Sequence, residues 1–203
     1  MSTSSVSFPR SIPLREAVLP RTTVLTSAVL LVVGVGFVAL ASQIAVTLSF
    51  TPVPITGQTF AVAVVGTTYG ANLGGLTLLA YWVVGMLGAP IYSEGEGGWD
   101  KATSPSAGYL VGFIVAAYLM GFLAERRWDR RLSSSISLML CGSVVIYALG
   151  LAWLRYDYSP SFSAALEDGL YPFLVGDLVK LYLAAAIVPL AWRGVERLRG
   201  RRR

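Results

Sequence analysis

The stretch VLTSAVLLVVGVGFVALASQIAVTL, residues 24–48, carries no charged side chain. About 20 apolar residues, rising about 1.5 Å each as a helix, cross the roughly 30 Å hydrocarbon core of a bilayer. The run is also too long for the core of a cleaved signal peptide. It therefore reads as a first membrane span. The rest of the chain agrees with it: of 203 residues, 55% are hydrophobic and only 13% charged, against about 25% charged in ordinary soluble domains.

Working outward, residues 1–23 form a Ser-, Thr- and Pro-rich lead with Arg10, Arg15 and Arg21, expected to be disordered and cytoplasmic. On the other side, Pro52 and Pro54 break the helix, because each proline disfavours helical backbone at the residue before it. Further apolar runs predict spans at about 58–69, 76–91, 106–124, 135–154 and 170–192. A tight turn from Gly70 to Gly75 separates the second from the third, and a Gly-rich acidic loop occupies 92–105. The second and third spans are short and need tilt, local thinning or protein neighbours. Residues 193–203 are a basic tail. The expectation is one all-α membrane domain, residues 24–192, of six transmembrane helices.

Charge sets the orientation. Three arginines lie in the lead, four in Glu125–Arg131 and six between Arg193 and Arg203, thirteen of the sixteen Lys and Arg. With six spans all thirteen fall on one side, which the positive-inside rule makes cytoplasmic. Lys101 and Arg155 fall opposite, and Lys180 lies within the last span. Five or seven spans would destroy this segregation. The basic residues are then anchors beside anionic lipid and not a nucleic-acid surface. The protein is expected in the prokaryotic cell (inner) membrane, with both termini cytoplasmic.

The chain has no histidine and a single cysteine, Cys141, inside an apolar run and expected to be a small buried packing residue. Zinc sites, thiol pairs and imidazole catalysis are not expected, and neither is a cofactor. Two ions stand where ions are costly. Asp177 and Lys180, three apart in the last span, share a helical face. Each costs about 2.5–3.5 kcal/mol near the bilayer centre on insertion scales. Counting from residue 170, they lie about 10 and 15 Å below the helix end. They are either a structural ion pair or the polar heart of a cavity open to the outside, where lysine meets an anion and aspartate meets donors.

Two outward loops add polar and aromatic groups. Pro52, Pro54, Thr56, Gln58 and Thr59 surround the first. The second runs Tyr92-Ser93-Glu94-Gly95-Glu96-Gly97-Gly98-Trp99. Its glycines permit close backbone approach to a ligand, and Trp99 is either an interfacial anchor or a site residue. With Ser104 to Tyr109 these loops read as a lid and a pocket wall. On the first span, Ala41 and Ala45 form a small-xxx-small pair suited to docking another helix.

At this point the residues resemble the BioY family, the biotin-binding S components of energy-coupling factor (ECF) transporters. Gln43-Ile44 followed by Pro52-Val53-Pro54-Ile55-Thr56-Gly57-Gln58-Thr59-Phe60 is similar to the first family signature. Gly85–Tyr92 with Gly95–Gly98, then Pro105, Gly108, Tyr109, Gly112 and Phe113, then Gly169, Pro172-Phe173 and Gly176–Lys180 follow in the family's order, covering roughly 25–190. Glu94 and Ser104 replace usual glycines, and Ser106-Ala107 replaces a usual Thr-Gly, so the lid departs from the pattern.

The resemblance implies the six-helix S-component fold and high-affinity capture of biotin near the outer face. It also implies transfer inward on a transmembrane coupling protein and energy from a pair of cytoplasmic ATPases. The chain has no phosphate-cradling G-x-x-x-x-G-K-[ST] motif of its own. Asp177 suits the ureido N–H groups of biotin, and Lys180 suits its carboxylate or ureido carbonyl. Tyr92, Trp99 and Tyr109 are candidates to enclose the apolar part, with Gln58 or Thr56 completing the polar contacts. An autonomous ion-coupled carrier, with Asp177 as proton relay, is the second reading. An intramembrane enzyme is not supported, since only a Ser-Lys arrangement is conceivable and no spacing suggests one.

Overall fold

The computed structural model describes residues 11–19 and 23–200. Its helices, in chain order, are α1 (Leu14–Val18), α2 (Val24–Gln43), α3 (Gln58–Tyr69), α4 (Ala71–Met86), α5 (Trp99–Ala102), α6 (Ala107–Ala124), α7 (Leu132–Asp157), α8 (Phe162–Gly169) and α9 (Leu174–Gly200). Four of them, α2, α6, α7 and α9, are long and apolar enough to cross a membrane. The protein is a multi-pass, mainly helical membrane protein. At about 1.5 Å per residue α3 is only about 18 Å long and α4 about 24 Å.

Several helix boundaries have a local cause. Thr23 and Thr26 cap α2 reciprocally, each hydroxyl accepting from the other residue's backbone N–H at 3.2 and 2.7 Å. That helix stops at Gln43, five residues before the expected end, because the chain turns into a short antiparallel hairpin. Ala45 pairs with Thr56 and Val46 with Ile55, and the intervening loop carries the prolines. The turn between α3 and α4 is Gly70 alone, at φ +79°, a conformation glycine adopts without steric cost. Gly74 and Gly75, expected in that turn, lie inside α4. A Cβ at Gly74 would stand 3.0 Å from Gly66 Cα of α3, so the glycine serves helix packing. The last helix begins at Leu174 and not near 170, because Pro172 precedes it; it then continues past 193 through residues expected to form a separate tail.

α6 is the axis of the bundle. Cβ atoms added to its glycines would strike backbone: Gly112 would meet Ile146 Cα of α7 at 3.0 Å, and Gly121 would meet the Gly70–Ala71 junction. A Cβ added to Gly66 of α3 would likewise stand 2.8 Å from Ala117 Cα of α6. Such contacts hold membrane helices together where water provides no drive.

The basic segments gather at one end. Ser11 N–H donates to the Glu125 carbonyl at 2.8 Å, and Glu125 Oε1 accepts from Ala71 N–H at 3.0 Å. The lead is not wholly irregular there: Leu14 and Ala17, three apart on α1, are buried. Asp129, fully buried, accepts from the indole of Trp192 on α9, and Arg130 stacks on that indole 3.2 Å from its centroid. Cys141 is exposed and not a buried packing residue, since it stands on the outward face of α7; an apolar run does not say which face turns inward.

Candidate functional site

At the opposite end, α3, α6, α7 and α9 and the two loops enclose one cavity. Asp177 stands in the first turn of α9, where the helix dipole favours an anion. With the helix starting at Leu174, Asp177 and Lys180 lie only about 5 and 9 Å along it, shallower than counting from 170 predicts.

Asp177 Oδ1 accepts from Thr59 at 3.1 Å and pairs with Lys180 Nζ at 2.5 Å, while Oδ2 accepts from Tyr147 at 2.6 Å. Lys180 Nζ also donates to the Thr56 carbonyl at 2.7 Å. The two ions are thus bonded to each other and to α3, α7 and the hairpin. Their side chains keep 12% and 19% of their surface, turned to the cavity. The pair therefore ties the bundle together and also faces the cavity.

Of the residues singled out from sequence, Asp177, Lys180, Thr56, Gln58, Tyr92 and Tyr109 line the cavity; Trp99 does not. Trp99 opens α5 and is 64% exposed. Several lining residues are frame more than free contact. Gln58 accepts from Thr56 Oγ1 at 2.8 Å and donates to Tyr81 Oη at 2.9 Å, and Tyr81 donates to the Ile91 carbonyl at 2.9 Å. Tyr92 donates to the Trp82 carbonyl at 2.5 Å, and Tyr109 donates to the Gly169 carbonyl at 2.8 Å. Their rings, with Phe113, Ile146 and Phe173, give the cavity apolar walls around a few charges, the usual build of a small-molecule site.

Sequence reasoning missed two polar members. Lys101, read only as an outer-side charge, lines the cavity and pairs with Glu96. Tyr147 lies mid-way along α7, where a hydroxyl inside an apolar run was the available signal. Ala41 and Ala45 do not form the expected stripe. Ala41 is buried, its carbonyl 2.8 Å from where a Gly57 Cβ would be, and Ala45 lies beyond the helix in the hairpin. Lys180 has a second exposure, to an apolar groove on the outside of the bundle lined by Phe37, Leu40, Ile44 and Phe60.

The BioY family model matches residues 13–197. The chain belongs to the BioY family. Biotin transporter BioY of Rhizobium etli is 34% identical over 149 residues, 70% of this chain and 79% of that protein. The probable biotin transporter BioY of Pyrococcus horikoshii is 38% identical over 165 residues, 81% and 92% of the two chains. A solved S-component for biotin from an ECF-type ABC transporter superposes with a TM-score of 0.76, covering 85% of this chain and 95% of that one, at 22% identity. At that identity the superposition speaks to the fold.

Proposed function

We propose that this BioY protein is the biotin-capturing subunit of an ECF-type transporter. The observation that carries this is the enclosed, apolar-walled cavity in which a carboxylate and an ammonium stand side by side. Biotin offers two ureido N–H donors, a carbonyl, an apolar ring and a carboxylate. Asp177 receives one ureido N–H group, Lys180 the adjacent carbonyl, and Lys101 is placed for the carboxylate once Glu96 yields it. Relatives named as biotin transporters support the substrate.

In the same proposal six helices, α2, α3, α4, α6, α7 and α9, span the inner membrane of a prokaryote. The gathering of the basic segments at one end supports cytoplasmic termini and an outward-facing cavity. A coupling protein and an ATPase pair supply the inward step, and the open side of α2 is the surface offered to that partner. Titration calorimetry of the purified chain with biotin tests the reading. Saturable 1:1 binding that biotin's close analogues compete for is expected, and no heat at any attainable concentration would overturn it. Uptake measured with and without the partners separates subunit from autonomous carrier.

A further inference from the structure

Two ammonium groups line the cavity, and their ion pairs are built differently. Lys180 is locked in place. It also donates to the Thr56 carbonyl, and its partner Asp177 is held in turn by Thr59 and Tyr147 with 12% of its surface exposed. Lys101, by contrast, is paired only with Glu96 among the described acids. Glu96 keeps 49% of its side-chain surface, and its carboxylate accepts no other hydrogen bond among the described residues. Lys101 lines the cavity, whereas Glu96 stands outside the lining.

The backbone fixes both residues, so side-chain rotation alone can break the pair. Glu96 N–H donates to the Ser93 carbonyl at 3.3 Å, and its own carbonyl accepts from Tyr92 N–H at 2.9 Å. Lys101 sits on α5, whose preceding Gly98 N–H donates to the Gly85 carbonyl at 2.7 Å. Ala102, next to Lys101, is buried. Releasing Glu96 costs little, because half of it is already in water and half-exposed ion pairs are weak. Releasing Asp177 would leave a buried charge without its partner. Only one of the two ammonium groups is therefore open to exchange with a ligand's anion.

We propose that Glu96 is a resident carboxylate that occupies the place of the ligand's own and so sets tail specificity. By exchanging with the carboxylate of biotin, it lets the free acid and its neutral-tailed amides and esters bind about equally well. This rests on the biotin reading above. A free acid that takes Lys101 breaks one ion pair to make another, so its tail charge gains little. An amide or ester leaves Glu96 on Lys101 and forfeits nothing. The substrate class is then biotin together with its small neutral-tailed derivatives.

Titration calorimetry of the full chain in detergent tests this with biotin and biotinamide, which differ only in the charge and head of the tail. Wild type should bind the two within about threefold, as exchange between weak ion pairs implies. Glu96→Gln keeps the shape and removes the competitor. It should bind biotin about fivefold more tightly, the upper end of what a half-exposed ion pair contributes, and widen the biotin-to-biotinamide ratio by the same factor. Lys101→Gln should turn the ratio in favour of biotinamide, because Glu96 then faces the ligand carboxylate with no cation between them. A Glu96→Gln ratio equal to that of wild type, or weaker biotin binding by this variant, overturns the proposal. So does a wild-type preference for biotin beyond about tenfold, which would mean that Glu96 does not compete. An unchanged ratio in Lys101→Gln overturns it too, and that arm decides even should Glu96→Gln not fold. Wild type binding neither ligand would instead sink the biotin reading.

Discussion

α2 and α6 are both uncharged helices of about the same length, 20 and 18 residues, and α2 is the more hydrophobic. Yet 61% of α6 is buried inside the protein, against only Gly34, Val38, Ala41 and Ser42 of α2. In water the greasier helix would hold the core. In lipid, hydrophobicity does not distinguish protein from solvent, and position follows how closely backbones can approach. α6 offers Gly108 and Gly112 to α7, and Gly121 to the turn between α3 and α4. α2 offers one narrow stripe, Gly34, Val38, Ala41 and Ser42, while Val32, Val33 and Leu40 face outward. The enclosed side of the bundle carries the site, and the open side carries a surface.

The largest effect should come from filling the α6 seam. Gly112→Leu forces a side chain into the α7 backbone, and a cost of about 3 kcal/mol or more is expected. Size-exclusion profiles and melting in detergent should show little folded protein; a normal profile would mean the seam is looser than its distances say. Next come the site ions of the enclosed side. Asp177→Ala and Lys180→Ala each remove a charge-assisted contact of about 1.5–3 kcal/mol, hence about ten- to more than a hundredfold in biotin affinity. The double variant separates the roles of the pair. A stable double variant with unchanged biotin affinity would reduce Asp177 and Lys180 to a structural bridge.

Smaller is the effect at the basic end. Burial holds the Asp129 carboxyl above its usual range, against the opposing pull of the Trp192 indole and the Arg130 guanidinium. A raised folded pKa means this group's stabilisation is full below its unfolded value of about 3.9 and is lost as pH rises through the folded value. Asp129→Asn keeps an acceptor for Trp192 and removes the charge. Its melting temperature should exceed wild type at neutral pH, with the gap closing toward acid; the reverse sign would show that pairing with Arg130 outweighs burial. The least effect is expected at Gly36→Leu on α2, where nothing stands within 4 Å. Stability should change by under about 0.5 kcal/mol, and a large loss there would erase the contrast between the two sides.

Sequence gave the bundle its outline because apolar runs and charge segregation are local or additive signals. It did not give the ends of α2 and α9, which depend on where a hairpin and Pro172 redirect the chain. Nor did it separate turn glycines from seam glycines: Gly70 and Gly74 are the same letter, and only the neighbouring helix tells them apart. In the site, Asp177 and Lys180 stood out because charge inside an apolar helix is costly. Tyr147 and Lys101 did not, since a tyrosine among aliphatics and a lysine in a loop are ordinary until the fold brings them to the cavity. Trp99, conspicuous in the sequence and read as either anchor or site residue, is 64% exposed and is not part of the cavity lining.

The contact between Lys180 and the Thr56 carbonyl is also a partition, with the cavity on one side and the apolar groove of Phe37, Leu40, Ile44 and Phe60 on the other. It is one hydrogen bond thick, and both of its partners line both spaces. Lys180 thus meets apolar surroundings on one face and the polar cavity on the other, so a molecule lodged in the groove would bear on the position of the ammonium. Biotin titrations in detergents of different chain length are therefore expected to give different affinities, and identical values would show that the groove is not felt at Lys180.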